Sequence, residues 1–345
     1  MTHPIPEPRA NPLLIGQNAA EAALLGALRA GRMHHAWLLT GPEGVGKATL
    51  AFRFARWLLA GAPEGAGEGA ELALDAAHPV FRRVAAGGHA DLLTVQRGLG
   101  ADGKKPRAEI GVDEVRAVGA FLRLTPAEGG WRVVVVDRAD ELNRNAANAL
   151  LKILEEPPAR ALLLLVCAAP GRLPVTVRSR CRRLALRPLD ESEMADVLTR
   201  LAPDIEEAEL ARLTALAEGS PGRALLLRDA QGLALAGLVD EVLAGLPRPP
   251  GAGWDIAERL ATGEGFSTFM DLPRAAIASA VRDAARGRAD PEQARLAALR
   301  PLDAWGDVWH ALSRLQDETE RFALDRRQAI LTGLRLLSGE VQGTP

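Results

Sequence analysis

A glycine-rich loop, Gly41-Pro-Glu-Gly-Val-Gly-Lys47, limits the possible folds of this chain more than any other segment. It lies between an apolar strand and an amphipathic helix, which is the context of a phosphate-binding P-loop. There the glycines turn consecutive backbone N–H groups toward an anion, and the helix N-terminus adds partial positive charge. The motif predicts an α/β domain with a phosphate cradle made by Gly41, Gly44, Gly46 and Lys47.

Short β-rich runs alternate with helical patterns on both sides of the loop. The predicted strands are residues 36–40, 91–96, 132–136, 161–166 and 183–187, and the predicted helices between them are 47–60, 112–123 and 145–155. The runs VVVV and LLLLV are apolar throughout, which is typical of strands covered on both faces in a parallel sheet. The pattern predicts a doubly wound α/β domain, with Asn145 as the N-cap of its third helix.

Beyond residue 188 the patterns are helical only. Helices are predicted over 190–200, 206–218 and 222–229, and again from about 254 to 339, after a proline-rich linker at 246–253. Residues 61–69 and 97–107 are predicted to be solvent loops, the second carrying Lys104 and Lys105. Three domains are expected: 1–188, 189–245 and 254–345.

Composition excludes several classes of protein. The 42 basic and 44 acidic residues give a net charge of -2, which argues against binding to nucleic acid by bulk charge. Two cysteines, Cys167 and Cys181, cannot form a disulfide framework, and the longest apolar stretch, 161–170, is too short for a membrane span. The N-terminal segment lacks the apolar core of a signal peptide, so we expect a cytoplasmic protein without membrane association.

Two positions of the phosphate site carry residues that do not support hydrolysis. Ala48 stands where a Ser or Thr would hold Mg²⁺, and Thr49 lies about 100° further round the helix. The strand at 133–136 ends at Asp137, as in a Walker B motif, but Arg138 replaces the acidic residue that orients the attacking water. The sequence predicts a site incapable of hydrolysis. It leaves open whether the loop binds nucleotide unproductively or is kept only for its fold.

Five further motifs occur along the first 227 residues. They are LIGQ at 14–17, HAWLLTG at 35–41, NAANALLKILEEPP at 145–158, LPVTVRSRC at 173–181 and GSPGR at 219–223. Together with the P-loop and Walker B segments they resemble the bacterial clamp-loader subunits of the AAA+ family, and the delta-prime type of DNA polymerase III in particular. The resemblance implies an α/β AAA+ P-loop domain (a parallel sheet flanked by helices), then a small helical lid domain and an all-α collar domain.

The resemblance also implies a function. The chain would help to load the sliding clamp onto primed DNA, with no independent catalysis, inside a holoenzyme that is a DNA-directed DNA polymerase (a nucleotidyltransferase). Its partners would be gamma/tau-type and delta clamp-loader subunits and, through the complex, the clamp and primed DNA. Arg180, in the Ser-Arg-Cys motif, would be an arginine finger acting in trans at a neighbour's ATP site. The other interpretation is that Arg180 and the arginines at 178, 182 and 183 form a solvated basic strand end.

The residues that the resemblance assigns to the degenerate nucleotide site are Gly41, Gly44, Gly46, Lys47, Thr49, Asp137 and Arg223. Arg223 falls at the sensor 2 position, and Ala168 replaces the sensor 1 threonine. No cofactor is required, and ATP or ADP binding without hydrolysis stays open. Residues 61–97 contain no cysteine, so the zinc module of many relatives is not expected. Two alternatives remain: a catalytically active gamma-type clamp-loader ATPase, and a P-loop binding protein outside replication.

Overall fold

The computed structural model describes residues 6–63, 72–99, 107–128, 130–229, 232–247, 249, 253–261 and 265–339. The chain forms two compact units, Met1–Leu225 and Leu226–Pro345. The division into three domains stays a prediction. Most of the predicted loop at 61–69, together with Lys104 and Lys105, lies outside the described residues.

The first unit contains all the strands of the described chain. They are β1 (Ala36–Thr40), β2 (Leu92–Val95), β3 (Arg132–Val136), β4 (Ala161–Cys167) and β5 (Arg182–Ala185). Its helices are α1 (Asn18–Arg29), α2 (Lys47–Leu59), α3 (Pro79–Ala85), α4 (Val112–Arg123), α5 (Arg144–Glu155), α6 (Val175–Arg178), α7 (Glu191–Leu201) and α8 (Glu207–Ala217), while α9 (Pro221–Asp229) begins in the first unit and ends in the second. The five predicted strands are confirmed: β1 and β3 have the predicted bounds, and the ends of the other three differ by at most two residues.

The sheet is parallel throughout, in the order β2-β3-β4-β1-β5. Every residue of β1, β3 and β4 is buried, as predicted for strands covered on both faces. The register pairs Thr40 with Cys167 and Val136 with Leu165, so β1, β3 and β4 end at the same edge. The P-loop, Asp137 and Ala168 each follow one of these strands, and the sheet therefore brings them together.

Buried arginines fasten α2 to the preceding part of the chain. The Arg53 guanidinium pairs with Glu21 of α1 at 2.6 Å, and both side chains are about nine-tenths buried. Arg56 donates to the backbone carbonyls of Arg9, at 2.6 Å, and Asn11, at 2.8 Å. Because unpaired buried charges are costly, these contacts fix the direction of α2 and hence the place of its first residue, at the P-loop.

Some local predictions were incomplete or wrong. The helices α1 and α3 were not predicted. The cap of α5 is Asn143 and not Asn145, because the Asn143 side chain accepts a hydrogen bond from the Ala146 N–H at 2.9 Å. Asn145 already lies in the first turn of the helix, where its side chain cannot serve as the N-cap.

The described residues of the second unit form helices and the segments that join them, which confirms the helical pattern predicted from about 254 to 339; the helix at Gly232–Ala244 was not predicted. Its helices are α10 (Gly232–Ala244), α11 (Trp254–Ala261), α12 (Phe266–Ala285), α13 (Pro291–Ala298), α14 (Leu302–Phe322) and α15 (Arg326–Ser338). The helix α12 contacts α10, α13, α14 and α15. Phe266, Phe269, Trp305 and Ile330 are fully buried and form much of the core. Within the described residues, no helix combines the length and apolarity that crossing a bilayer requires.

Candidate functional site

The backbone of the P-loop adopts conformations that favour glycine. Gly41, Gly44 and Gly46 have φ angles of 146°, 78° and 102°. A Cβ atom on Gly41 would lie 2.6 Å from the carbonyl oxygen of Leu186, and one on Gly44 would lie 2.7 Å from the backbone nitrogen of Arg223. The glycines are therefore needed both for the turn and for close packing against the chain after β5 and at the start of α9.

The ammonium group of Lys47 is held by the P-loop itself. Its Nζ donates hydrogen bonds to the carbonyl oxygens of Gly41, at 2.8 Å, and Pro42, at 2.6 Å. Burial lowers the pKa of Lys47, and the nearby carboxylates of Glu43, Asp140 and Asp137 oppose this shift. Two of the three N–H donors of the ammonium group are thus taken up by loop carbonyls, and an incoming phosphate would compete with them for this cation.

The start of α9 lies directly on the P-loop. The Gly222 N–H donates to the Gly44 carbonyl at 2.9 Å, and a Cβ on Gly222 would lie 2.8 Å from the Gly44 Cα. The Arg223 backbone shares this contact, while its guanidinium lies 3.5 Å from a carboxylate oxygen of Glu218. The structure thus brings Arg223 to the P-loop through its backbone and pairs its side chain with Glu218, the residue that follows α8.

Asp137 lies at the end of β3, where a Walker B carboxylate belongs. Its backbone N–H donates to the Val95 carbonyl at 2.9 Å, which continues the pairing of β3 with β2. Burial raises the pKa of the Asp137 carboxyl, and the cations of Arg138 and Lys47 oppose that shift. The two cations thus partly offset the cost of keeping this carboxylate charged at a buried position.

Arg138 joins the Walker B segment to the P-loop. Its backbone is left-handed, with φ 54° and ψ 55°, and its guanidinium forms an ion pair with Glu43 of the P-loop. A second ion pair connects it to Glu141 at 3.1 Å, and Glu141 also pairs with Arg97 at 3.0 Å. Burial lowers the pKa of Arg138, but Glu43 and Glu141 outweigh it and leave the pKa raised, so the cation is permanent. A positive charge fixed here cannot accept a proton from water.

Asp140 fixes the chain that follows β4. Its two carboxylate oxygens accept hydrogen bonds from the N–H groups of Ala168, at 3.2 Å, and Ala169, at 3.1 Å. Burial and the neighbouring Asp140 raise the pKa of the Cys167 thiol to about 12. Ala168, which the resemblance places at the sensor 1 position, therefore has a backbone fixed by Asp140 and a methyl side chain. It has no hydroxyl that could contact a phosphate.

These residues do not fit a magnesium ion. Ala48 carries only a methyl group, and Thr49 is only 8% exposed within α2, so the position after Lys47 offers no hydroxyl to a magnesium ion. Magnesium prefers several hard oxygen ligands, which this combination does not offer. Over the stretches that the structure describes, no group of three or more His, Cys, Asp or Glu side chains is placed to hold a metal. The expected lack of zinc stays a prediction.

Arg180 belongs to a separate cluster at the end of α6. Its Nη2 atom lies 2.8 Å from a carboxylate oxygen of Glu155, and its Nη1 atom donates to the Thr176 carbonyl at 2.9 Å. The side chain is 37% exposed. Cys181 beside it is partly buried, and burial raises the pKa of its thiol to about 12, which disfavours the thiolate at neutral pH.

Two acidic residues of these clusters were not singled out from the sequence: Glu43 and Glu155. Glu43 occupies a variable position of the P-loop and pairs with a residue 95 positions away, so no local pattern reveals it. The sequence does contain a signal that points to Glu155. An acidic residue at the last position of a helix faces the negative end of the helix dipole, which usually indicates a cationic partner.

A family model and several curated proteins match the first unit. The model described as "DNA polymerase III, delta subunit" matches residues 16–190, just over half of the chain. The DNA polymerase III subunit delta' of Pseudomonas aeruginosa is 38% identical over 187 residues, which cover 54% of this chain and 53% of that protein. The Escherichia coli K12 subunit delta' is 37% identical over 209 residues, 59% of this chain and 57% of that protein. The chain thus spans about half the length of these delta' relatives.

Two further proteins are similar to this chain at lower sequence identity. The DNA polymerase III subunit tau/gamma of Haemophilus influenzae is 31% identical over 225 residues, 63% of this chain and 30% of that protein. A solved structure of a gamma subunit-related protein from Thermotoga maritima covers 92% of this chain and 99% of its own, at 17% identity and a TM-score of 0.43. That score is too low to support a conclusion. The match over residues 16–190 and the identity to delta' subunits establish that the chain belongs to the DNA polymerase III delta' subunit family.

Proposed function

We propose that this protein is a clamp-loader subunit that does not hydrolyse ATP and that lends Arg180 to the ATP site of a neighbouring subunit. Family membership supports the clamp-loader assignment. The observation that carries the non-hydrolysing role is Arg138, which occupies the position of the water-orienting acid and is tied to Glu43 of the P-loop. The complex would place the sliding clamp on primed DNA.

The chemistry of the chain's own site supports this assignment. Hydrolysis needs a magnesium ligand after the P-loop lysine, an acid to orient water and a polar group that senses the γ-phosphate. Ala48, Arg138 and Ala168 stand at these three positions. Lys47 is in addition occupied by two loop carbonyls. Nucleotide, if bound, would be held without productive magnesium.

A chain with no hydrolysis of its own contributes to the reaction by serving a neighbour. The Arg180 guanidinium is planar and always charged, so its two arms can bind two phosphate oxygens as charge develops on them. An arginine finger contributes about 10³–10⁵ in rate in other phosphoryl-transfer systems. Its position at the end of a short helix, with 37% of the side chain exposed, leaves it within reach of another subunit.

The proposed partners follow from the relatives. Delta' and tau/gamma subunits of DNA polymerase III are both similar to this chain, and we infer a complex with gamma/tau-type and delta subunits, acting on the clamp and primed DNA in the cytoplasm. The second candidate function is a gamma-type ATPase. It is favoured by the intact glycines, Lys47 and Asp137, and by the 31% identity to tau/gamma.

Two measurements on the purified chain decide between these functions. We expect the chain alone to turn over no ATP, with or without primed DNA, and to form a stable hetero-oligomer when mixed with gamma-type and delta subunits. Size analysis by light scattering measures the second property. DNA-stimulated turnover by the isolated chain would establish the gamma-type alternative, and failure to join the other subunits would indicate a P-loop protein outside replication.

A further inference from the structure

Both terminal nitrogens of the Arg180 guanidinium, the two arms of the proposed finger, already have partners within this chain. The Nη2 atom of Arg180 lies 2.8 Å from Oε1 of Glu155, and the Nη1 atom donates to the Thr176 carbonyl at 2.9 Å. These are the same two arms that would bind phosphate oxygens. The finger therefore has one conformation in which it is held by its own subunit, away from any neighbour.

Glu155 stands in an electrostatically unfavourable place. It is the last residue of α5, where the helix dipole is negative, and Pro157 and Pro158 follow after Glu156. The Arg180 guanidinium offsets this repulsion by placing a cation at the same helix end. The ion pair with Arg180 therefore stabilises the Glu155 carboxylate. This stabilisation opposes the movement of the guanidinium to a phosphate.

The contact is easy to break. The side chains of Arg180 and Glu155 are 37% and 50% exposed, and solvent-exposed ion pairs contribute little. The Thr176 carbonyl also accepts from the Ser179 hydroxyl at 3.1 Å, so it keeps a donor when Arg180 leaves. Water can solvate the exposed Glu155. The guanidinium can leave without stranding a buried polar group.

We propose, on the basis of the finger role assigned above, that Glu155 is a positioning residue that holds Arg180 in a parked position until a neighbour's nucleotide replaces the carboxylate. In the complex without DNA, parking reduces the fraction of time that the finger spends on the γ-phosphate. When primed DNA stimulates the complex, the γ-phosphate of the neighbour's nucleotide displaces Glu155 and the parked state is no longer populated. Glu155 thereby lowers the rate of ATP hydrolysis in the absence of DNA and leaves the DNA-stimulated rate unchanged.

The test uses the reconstituted complex with Glu155→Gln in this chain, and Glu156→Gln as the matched control. Glu156 is the next residue, is also exposed and loses the same charge. Removing the carboxylate should raise the DNA-independent ATPase about 1.5- to 5-fold and leave the DNA-stimulated rate unchanged. Glu156→Gln should change neither. Glu155→Asp, which retracts the carboxylate by one methylene group, should give a smaller rise.

A double-mutant cycle with Arg180→Ala separates this proposal from the finger role. In the Arg180→Ala background, Glu155→Gln should have no effect on the basal rate, because there is no guanidinium to release. A basal rate in Glu155→Gln at or below that of the wild type would overturn the parking role. So would a rise that persists without Arg180. Wild-type ATPase in Arg180→Ala alone would instead overturn the finger role itself.

Discussion

The contact between the start of α9 and the P-loop is tested by replacing Gly222 with alanine. In an ordinary helix this change is favourable by about 1 kcal/mol, because alanine has the higher helix propensity. Here the new Cβ would lie 2.8 Å from the Gly44 Cα and 3.1 Å from its carbonyl oxygen, which are backbone atoms that cannot rotate away. Overpacking of this kind costs about 1–3 kcal/mol.

The hydrogen bond from the Gly222 N–H to the Gly44 carbonyl would also be lost as the two segments separate, at about 0.5–1.5 kcal/mol. We therefore expect Gly222→Ala to lower the free energy of unfolding by roughly 0.5–3.5 kcal/mol. Denaturant unfolding followed by tryptophan fluorescence measures this change. The matched control is Gly26→Ala in α1, where the new Cβ has no neighbour within 4 Å.

The control variant should change the free energy of unfolding in the opposite direction. Gly26→Ala should raise the free energy of unfolding by about 0.5–1 kcal/mol, since only the propensity term remains. If Gly222→Ala stabilises the chain as much as Gly26→Ala does, the start of α9 does not lie on the P-loop. The close packing of α9 against the P-loop would then be wrong.

Two further predictions concern the nucleotide site. Calorimetric titration should find weak ATP binding at most, unchanged by Mg²⁺, because Ala48 offers no ligand; tight magnesium-dependent binding would mean that another oxygen has replaced the hydroxyl. Restoring two residues together, with Ala48→Thr and Arg138→Glu, should still give no turnover by the isolated chain, since the Ala168 methyl remains and no neighbour supplies an arginine. Robust hydrolysis by that double variant would show that the site is otherwise intact.

Much of the fold was predictable because its signals are local. Continuous apolar runs predict β3 and β4, and the glycine pattern predicts the loop between β1 and α2. The helix α1 escaped prediction because its five alanines weaken the contrast between its two faces. The cap of α5 was misplaced by two residues because both Asn143 and Asn145 have side chains suited to capping, and only the helix start distinguishes them.

The candidate site was predictable in its residue types and not in its contacts. The missing magnesium ligand and water-orienting acid can be read from positions 48 and 138 alone. The ion pair between Arg138 and Glu43 spans 95 residues, and the contact between Gly222 and Gly44 spans more. Pairings at such separations depend on the order of strands in the sheet, which hydrophobic periodicity does not specify. The sequence therefore shows which residue types occupy the site, but not the long-range contacts that they make.

The central claim is that Arg180 serves a neighbour's ATP site, and a complex carrying Arg180→Ala tests it most directly. Arg182→Ala is the control, because Arg182 belongs to the same basic segment but lies over the ring of Trp37 at 4.8 Å. With assembly intact, Arg180→Ala should lower the DNA-stimulated ATPase and slow clamp loading further still, while Arg182→Ala leaves both rates unchanged. Arg180→Lys should rescue little, since lysine lacks the planar fork. Wild-type rates with Arg180→Ala would contradict the account and make Arg180 a solvated basic residue.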